Sequence, residues 1–145
     1  MPWREKDISR PFIAGVHLVT YEARPGRPAV SSPDLLHCDG EPFTFIHLVE
    51  RRNVEGGANM IAPRAFEKKR PDEVPPEAVL AELTLESPLD TIAVNDAKVA
   101  HYVSRVQTVP GADRGWRSVI LVDFSILAPA QYARRAPAES VLAVA

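Results

Sequence analysis

From position 12 to position 127 the chain is a series of short segments rich in Val, Ile, Phe, Tyr and Thr, each closed by Pro, Gly, Asn or Asp. This rhythm constrains the fold more than any other feature. β-Branched and aromatic side chains suit a pleated, half-buried surface, and closely spaced turn residues leave little room for helices. Segments 12–22, 43–50, 58–62, 83–86, 91–94, 99–106 and 116–127 read as strands. Between them, 24–33 holds three prolines, a glycine and two serines and reads as a loop, and Asn95-Asp96-Ala97-Lys98 is a tight-turn signal. Helical signals are confined to the region of Pro76-Glu77 and to 138–144. Many short strands with little helix predict an all-β sandwich or barrel.

At 145 residues the chain fits one domain, which at this size buries roughly 68% of its unfolded surface. We assign 1–128 to that domain and 129–145 to an Ala/Pro-rich tail. A net charge of −2 without a basic run points away from nucleic acid. No apolar run approaches the ~20 residues that span a bilayer, so no membrane partner is expected. The polar start, Met-Pro-Trp-Arg-Glu-Lys-Asp, does not read as a signal peptide. The lone Cys38 excludes an internal disulfide and fits a reducing compartment, so the expected location is cytoplasmic. The charged, proline-rich stretch 63–77 reads as a solvated surface loop, with an active-site lid as the alternative.

Chemistry concentrates around His37-Cys38-Asp39. In extended backbone His37 and Asp39 face one way and Cys38 the other, outward. A third ligand would complete a facial triad of two histidines and one carboxylate, which leaves positions open on iron. His101 follows the turn at 95–98 and shares a strand face with Val99 and Val103. A histidine so placed is either a hydrogen-bonded core residue or the third ligand. Arg117 opens the apolar run 116–127, and the nearest acid on its face, Asp123, lies about 20 Å along the strand. Either Arg117 snorkels to solvent from the strand end, or it is buried and binds a carboxylate bidentately.

The ordered motifs His37-x-Asp39-Gly40, His47-Leu-Val-x-Arg-x-Asn53-Val-Glu55-Gly56-Gly57, Pro88-Leu-Asp-Thr, Asp96-x-x-Val-x-His101 and Arg117-Ser-Val-Ile-Leu-Val-Asp-Phe resemble the 2-oxoglutarate/iron(II) dioxygenases. More narrowly, they are similar to the branch of the bacterial L-isoleucine 4-hydroxylase type, whose members hydroxylate free amino acids. The resemblance runs from about Phe12 to Leu127. It implies a double-stranded β-helix (jelly roll) with Fe(II) on His37, Asp39 and His101. Arg117 then takes the distal carboxylate of the cosubstrate 2-oxoglutarate, and O2 converts that cosubstrate to succinate and carbon dioxide. A carboxylate at position 39 implies hydroxylation, since related halogenases leave that position to a halide.

Asn53, Glu55, Gly56 and Gly57 match the family pattern and are read as turn geometry. Asn59 and His47 are candidates for the pocket wall, with a satisfied core histidine the favoured fate of His47. Ser118 points away from Arg117 by parity. Relatives carry a longer region before the first core strand, and here only 1–11 precede it. That difference implies a more open substrate site, cover from a second subunit (a homodimer), or a fold kept without catalysis. The alternatives are a cupin-like metal protein that needs no 2-oxoglutarate and a non-catalytic binding module.

Overall fold

The computed structural model describes residues 11–31 and 33–127; the 129–145 tail, with the helix expected at 138–144, lies outside them. Alternation along β2 (Phe43–Arg52) decides where the core lies: Thr44, Ile46 and Leu48 are buried, and the residues between them are only half-buried. β2 sits inside a four-stranded antiparallel sheet, ordered β1 (Phe12–Ala23), β9 (Gly115–Ile126), β2, β6 (Thr91–Val94). Opposite it lie β5 (Ala81–Thr84), β4 (Ala58–Pro63) and β7 (Val99–Val103) in a second sheet, with β3 (Val54–Gly56) and β8 (Val106–Thr108) as a separate pair. Ile46, Leu48, Ile92, Val94 and Val119 of the large sheet meet Ile61 and Leu85 across the interior. The result is an all-β jelly roll, as the strand rhythm and the resemblance predicted.

Two local features position the site. The register between β2 and β9 slips between Leu48 and Glu50, so Leu48 faces Val119 and, beyond the bulge, Arg51 faces Arg117. A bulge inserts one residue and reverses parity, and here it sets Arg51 directly across from Arg117. The second feature is an isolated bridge between His37 and His101, which exchange both backbone hydrogen bonds at 2.8 and 2.9 Å.

Three expectations need correction. The run 99–106 is two strands, broken at Ser104-Arg105 because β8 leaves β7 to pair with β3, which the sequence reading left inside a turn. The strand expected at 83–86 is Ala81–Thr84, following a 3-10 turn at Pro76–Ala78. The stretch 63–77 is more than a solvated loop. It forms short 3-10 turns, buries Val74 and packs Phe66 on the cluster of Leu36, Ala62 and Ala100. Its backbone also grips the neighbour of the first histidine, through Leu36 N–H to Lys69 O (2.9 Å) and Lys68 N–H to Leu36 O (2.8 Å).

Candidate metal centre

His37 is held from both sides. Upstream, Asp34 accepts hydrogen bonds from Tyr102 (3.1 Å) and Arg105 (2.8 Å), and the Arg105 bond, outweighing burial, holds its carboxyl below the usual range. The His37 ring donates through Nδ1 to Leu35 O at 3.0 Å, which leaves the Nε2 lone pair free. Its bridge to His101 brings the two rings to a centroid separation of 4.3 Å. His101, on β7, is buried at 4% exposure.

Asp39 closes the group. One carboxylate oxygen lies 3.6 Å from His37 Nε2 and the other 3.5 Å from His101 Nε2. Ligand atoms of His37, Asp39 and His101 all fall within 4.8 Å of one another. Two donors each about 2.1 Å from a shared ion can be at most about 4.2 Å apart, a span that the two histidine–carboxylate separations meet, each through a different Asp39 oxygen. Two imidazole nitrogens and one carboxylate oxygen suit a first-row divalent metal with open positions. The three residues that the family resemblance implied as ligands lie together here.

Asp96 was missed as a contributor by the sequence reading. It is 2% exposed, and its Oδ2 accepts the backbone N–H of Asp39 (2.5 Å) and of Gly40 (3.1 Å). Its Oδ1 stands 3.5 Å from His101 Nδ1, and neither atom has a hydrogen-bond partner among the described residues.

Arg117 lies in the wall of a cavity of about 640 Å³ that also contains His37, Asp39 and His101. Apolar side chains of Val19, Ile46, Val103, Val119 and Leu121 complete much of that wall. Arg117 is 1% exposed, so it does not snorkel, and its Nε and Nη2 have no partner. Burial pulls its pKa down, the Arg51 charge adds to that, and only Tyr21, 5.7 Å from the guanidinium carbon, opposes it. Gly57 makes room, because a Cβ there would stand 3.0 Å from Arg117 Cδ, at a φ of +70°. A buried guanidinium whose Nε and Nη2 have no partner among the described residues has donors to offer an anion.

Asp123 is occupied elsewhere, bonded to His17 at 3.1 Å. With Glu41 and Thr44 it lines a smaller cavity of about 420 Å³ that also meets Asp39. Burial raises the Glu41 pKa, and the charges of Asp123, Asp96 and Asp39 push it the same way. Other expectations fare variously. Ser118 does turn away, to Thr20 Oγ1 at 2.9 Å. His47 bonds Thr91 at 2.7 Å and Asn59 donates to Leu83 O at 3.3 Å, and neither lines these cavities. Cys38 is not outward but half-buried, its thiol donating to Val99 O at 3.4 Å, and burial raises its pKa.

Comparison with known proteins follows this geometry. A sequence model of the family described as 2OG-Fe dioxygenase matches residues 3–123. The chain is similar to L-isoleucine-4-hydroxylase of Bacillus thuringiensis, 35% identical over 120 residues, 82% of this chain and 45% of that protein. It is 32% identical over 111 residues to 3(1)-hydroxy-L-isoleucine 4-dioxygenase of Pantoea ananatis (strain AJ13355), covering 76% of this chain and 40% of that protein. The crystal structure of IDO from Bacillus thuringiensis superposes with a TM-score of 0.67 at 33% identity, covering 83% of this chain and 51% of that one. The chain thus spans about half the length of the relatives it matches.

Proposed function

This chain belongs to the 2OG-Fe dioxygenase family, and we propose that its cavity carries out iron(II)- and 2-oxoglutarate-dependent hydroxylation of a small metabolite, with free amino acids as the substrate class. In this reading His37, Asp39 and His101 hold the iron, and Arg117 takes the distal carboxylate of 2-oxoglutarate. When bound, iron(II) supplies the centre where O2 oxidises the keto acid to succinate and carbon dioxide, the second oxygen atom passing to a substrate C–H bond.

The observation that carries the reading is the placement of Arg117. Arg117, whose Nε and Nη2 are unpartnered among the described residues, lines the same cavity as the two histidines and Asp39, which supports a dicarboxylate held at one end by the guanidinium and directed at its other end to the triad. The bidentate fork sets the orientation of that ligand. Val119, Val19 and Leu121 keep the space between apolar, which strengthens the charge pairing and limits water. Such a guanidinium favours this reading over a cupin-like or non-catalytic one.

The substrate class follows from the relatives, whose names place isoleucine or a hydroxy-isoleucine in their reactions. Among the described residues no helix is long and apolar enough to cross a membrane, and the lone Cys38 suits the cytoplasm. The first strand leaves Val16 67% and Leu18 73% exposed, which favours a homodimer.

Succinate is the readout. The chain is loaded with iron(II), given 2-oxoglutarate and O2, and assayed with and without a pool of amino acids. Amino-acid-stimulated succinate with a one-oxygen mass gain is expected, and Asp39→Ala should remove metal binding. No succinate from iron-loaded protein under any condition would overturn the proposal.

A further inference from the structure

We propose that Asp96 is a positioning residue that orients two of the three candidate metal ligands, and that it sets the tautomer of His101. The inference rests on the metal-centre reading above.

The turn that carries Asp96 is fixed from several directions. Asn95 Oδ1 accepts the N–H of Ala97 (3.1 Å), and Asn95 O accepts those of Lys98 (2.9 Å) and Val99 (3.0 Å). From outside, Arg64 donates its side chain to Asp96 O at 2.9 Å and its backbone N–H to Lys98 O at 3.3 Å. The backbone is therefore held without the Asp96 carboxylate, which points inward at 2% exposure. One oxygen is spent on two backbone N–H groups, Asp39 and Gly40, so it fixes the main chain from which the carboxylate ligand projects. The other oxygen and His101 Nδ1 are both buried and otherwise unpartnered, 3.5 Å apart. Leaving two such groups unmet is costly, and among the described residues each has the other as its near neighbour.

Chemistry then assigns the proton. A carboxylate only accepts, so Nδ1 must be the donor, and the Nε2 lone pair of His101 faces Asp39. His37 reaches the same state by donating Nδ1–H to Leu35 O. Both imidazoles are thereby presented Nε2-first before any metal arrives.

Asp96→Asn tests this, because the amide keeps the shape but changes the donor pattern. Its oxygen still accepts from Asp39 and Gly40, which turns its NH2 toward His101 Nδ1. Nδ1 must then accept, the proton moves to Nε2, and the lone pair meant for the metal is lost. Two measurements are made on the whole chain: 15N imidazole shifts of the apo protein, and Mn(II) titration followed by loss of the free-ion EPR signal. The expected result is His101 Nδ1–H in the wild type and Nε2–H in Asp96→Asn. Mn(II) Kd should weaken roughly 10- to 100-fold, with the apo melting temperature nearly unchanged.

Equal Mn(II) affinity in the two proteins, or an unchanged tautomer, overturns the inference while leaving the metal centre standing. A wild type that takes up no Mn(II) overturns both. Should the variant fail to fold, the wild-type spectrum still decides, because an Nε2–H His101 there contradicts the assignment.

Discussion

Replacing Arg117 by methionine should raise the stability of the empty protein and remove its response to 2-oxoglutarate. The guanidinium is 1% exposed with Nε and Nη2 unpartnered, and Arg51 is its cross-strand neighbour. Removing an uncompensated buried charge in favour of an apolar side chain of similar size gains about 1–4 kcal/mol; we take about 1–2, because the group borders an open cavity. That is on the order of 5 °C in Tm for a domain of this size. Hydrogen bonds to charged groups contribute about 1.5–3 kcal/mol each, so losing a bidentate grip costs about 3–6, or roughly two to four decades in Kd.

The two effects oppose each other, which makes the assay sharp. With Mn(II) in place of iron to prevent turnover, and 2-oxoglutarate at 1,000 times the wild-type Kd, the wild type gains about 4.1 kcal/mol. The variant, binding 100-fold or more weakly, gains no more than about 1.4. Thermal melts should therefore cross: Arg117→Met melts higher without ligand and lower with it. An unchanged Kd, or an apo variant that melts several degrees lower, would refute the argument, since the guanidinium would then have a partner within the protein.

Two further outcomes follow from close contacts. A Cβ at Gly15 would land on the Asp123 carboxylate, so Gly15→Ala should cost about 1–2 kcal/mol by overpacking, and Asp123→Ala in the same chain should recover most of it in a double-mutant cycle read by denaturant melts. Asp90 accepts the backbone N–H groups of Ser87 (2.8 Å) and Glu86 (2.9 Å), which hold its pKa below 3.8. A depressed carboxylate gives stability that is present above the unfolded value and lost as pH falls through the folded one. The Tm gap between wild type and Asp90→Ala should therefore be full at neutral pH and shrink in acid below the ordinary carboxylate range. A gap that grows in acid would contradict the sign.

What the sequence revealed was whatever chemistry restricts to few residue types. Strand segments at 91–94 and 43–50 were legible because β-branched and aromatic residues fit a half-buried sheet. His37-x-Asp39 stood out because few side chains ligate a divalent metal, and His101 and Arg117 joined it through the family resemblance; the structure brings the first three together and buries Arg117. The split between β7 and β8 was not legible, because Ser104-Arg105 carries no Gly or Pro; the break is set by pairing with β3, a contact remote in sequence. The bulge at Val49 that sets Arg51 beside Arg117 is equally silent, as register belongs to two strands together.

Asp96 shows why a supporting residue hides where a ligand does not. In sequence it belongs to Asn-Asp-Ala-Lys, and an aspartate in such a turn is expected to bond its own backbone and face water. Here Asn95 does the local work, accepting from Ala97, Lys98 and Val99, which releases Asp96 to turn inward. The division of labour between two adjacent turn residues decides the outcome, and it depends on Arg64 and His37 arriving from elsewhere in the chain. Any acceptor at the right depth could serve behind His101, so no spacing rule singles one out. A buried turn carboxylate five positions before a candidate ligand histidine becomes visible only once burial and unmet hydrogen bonds are counted together.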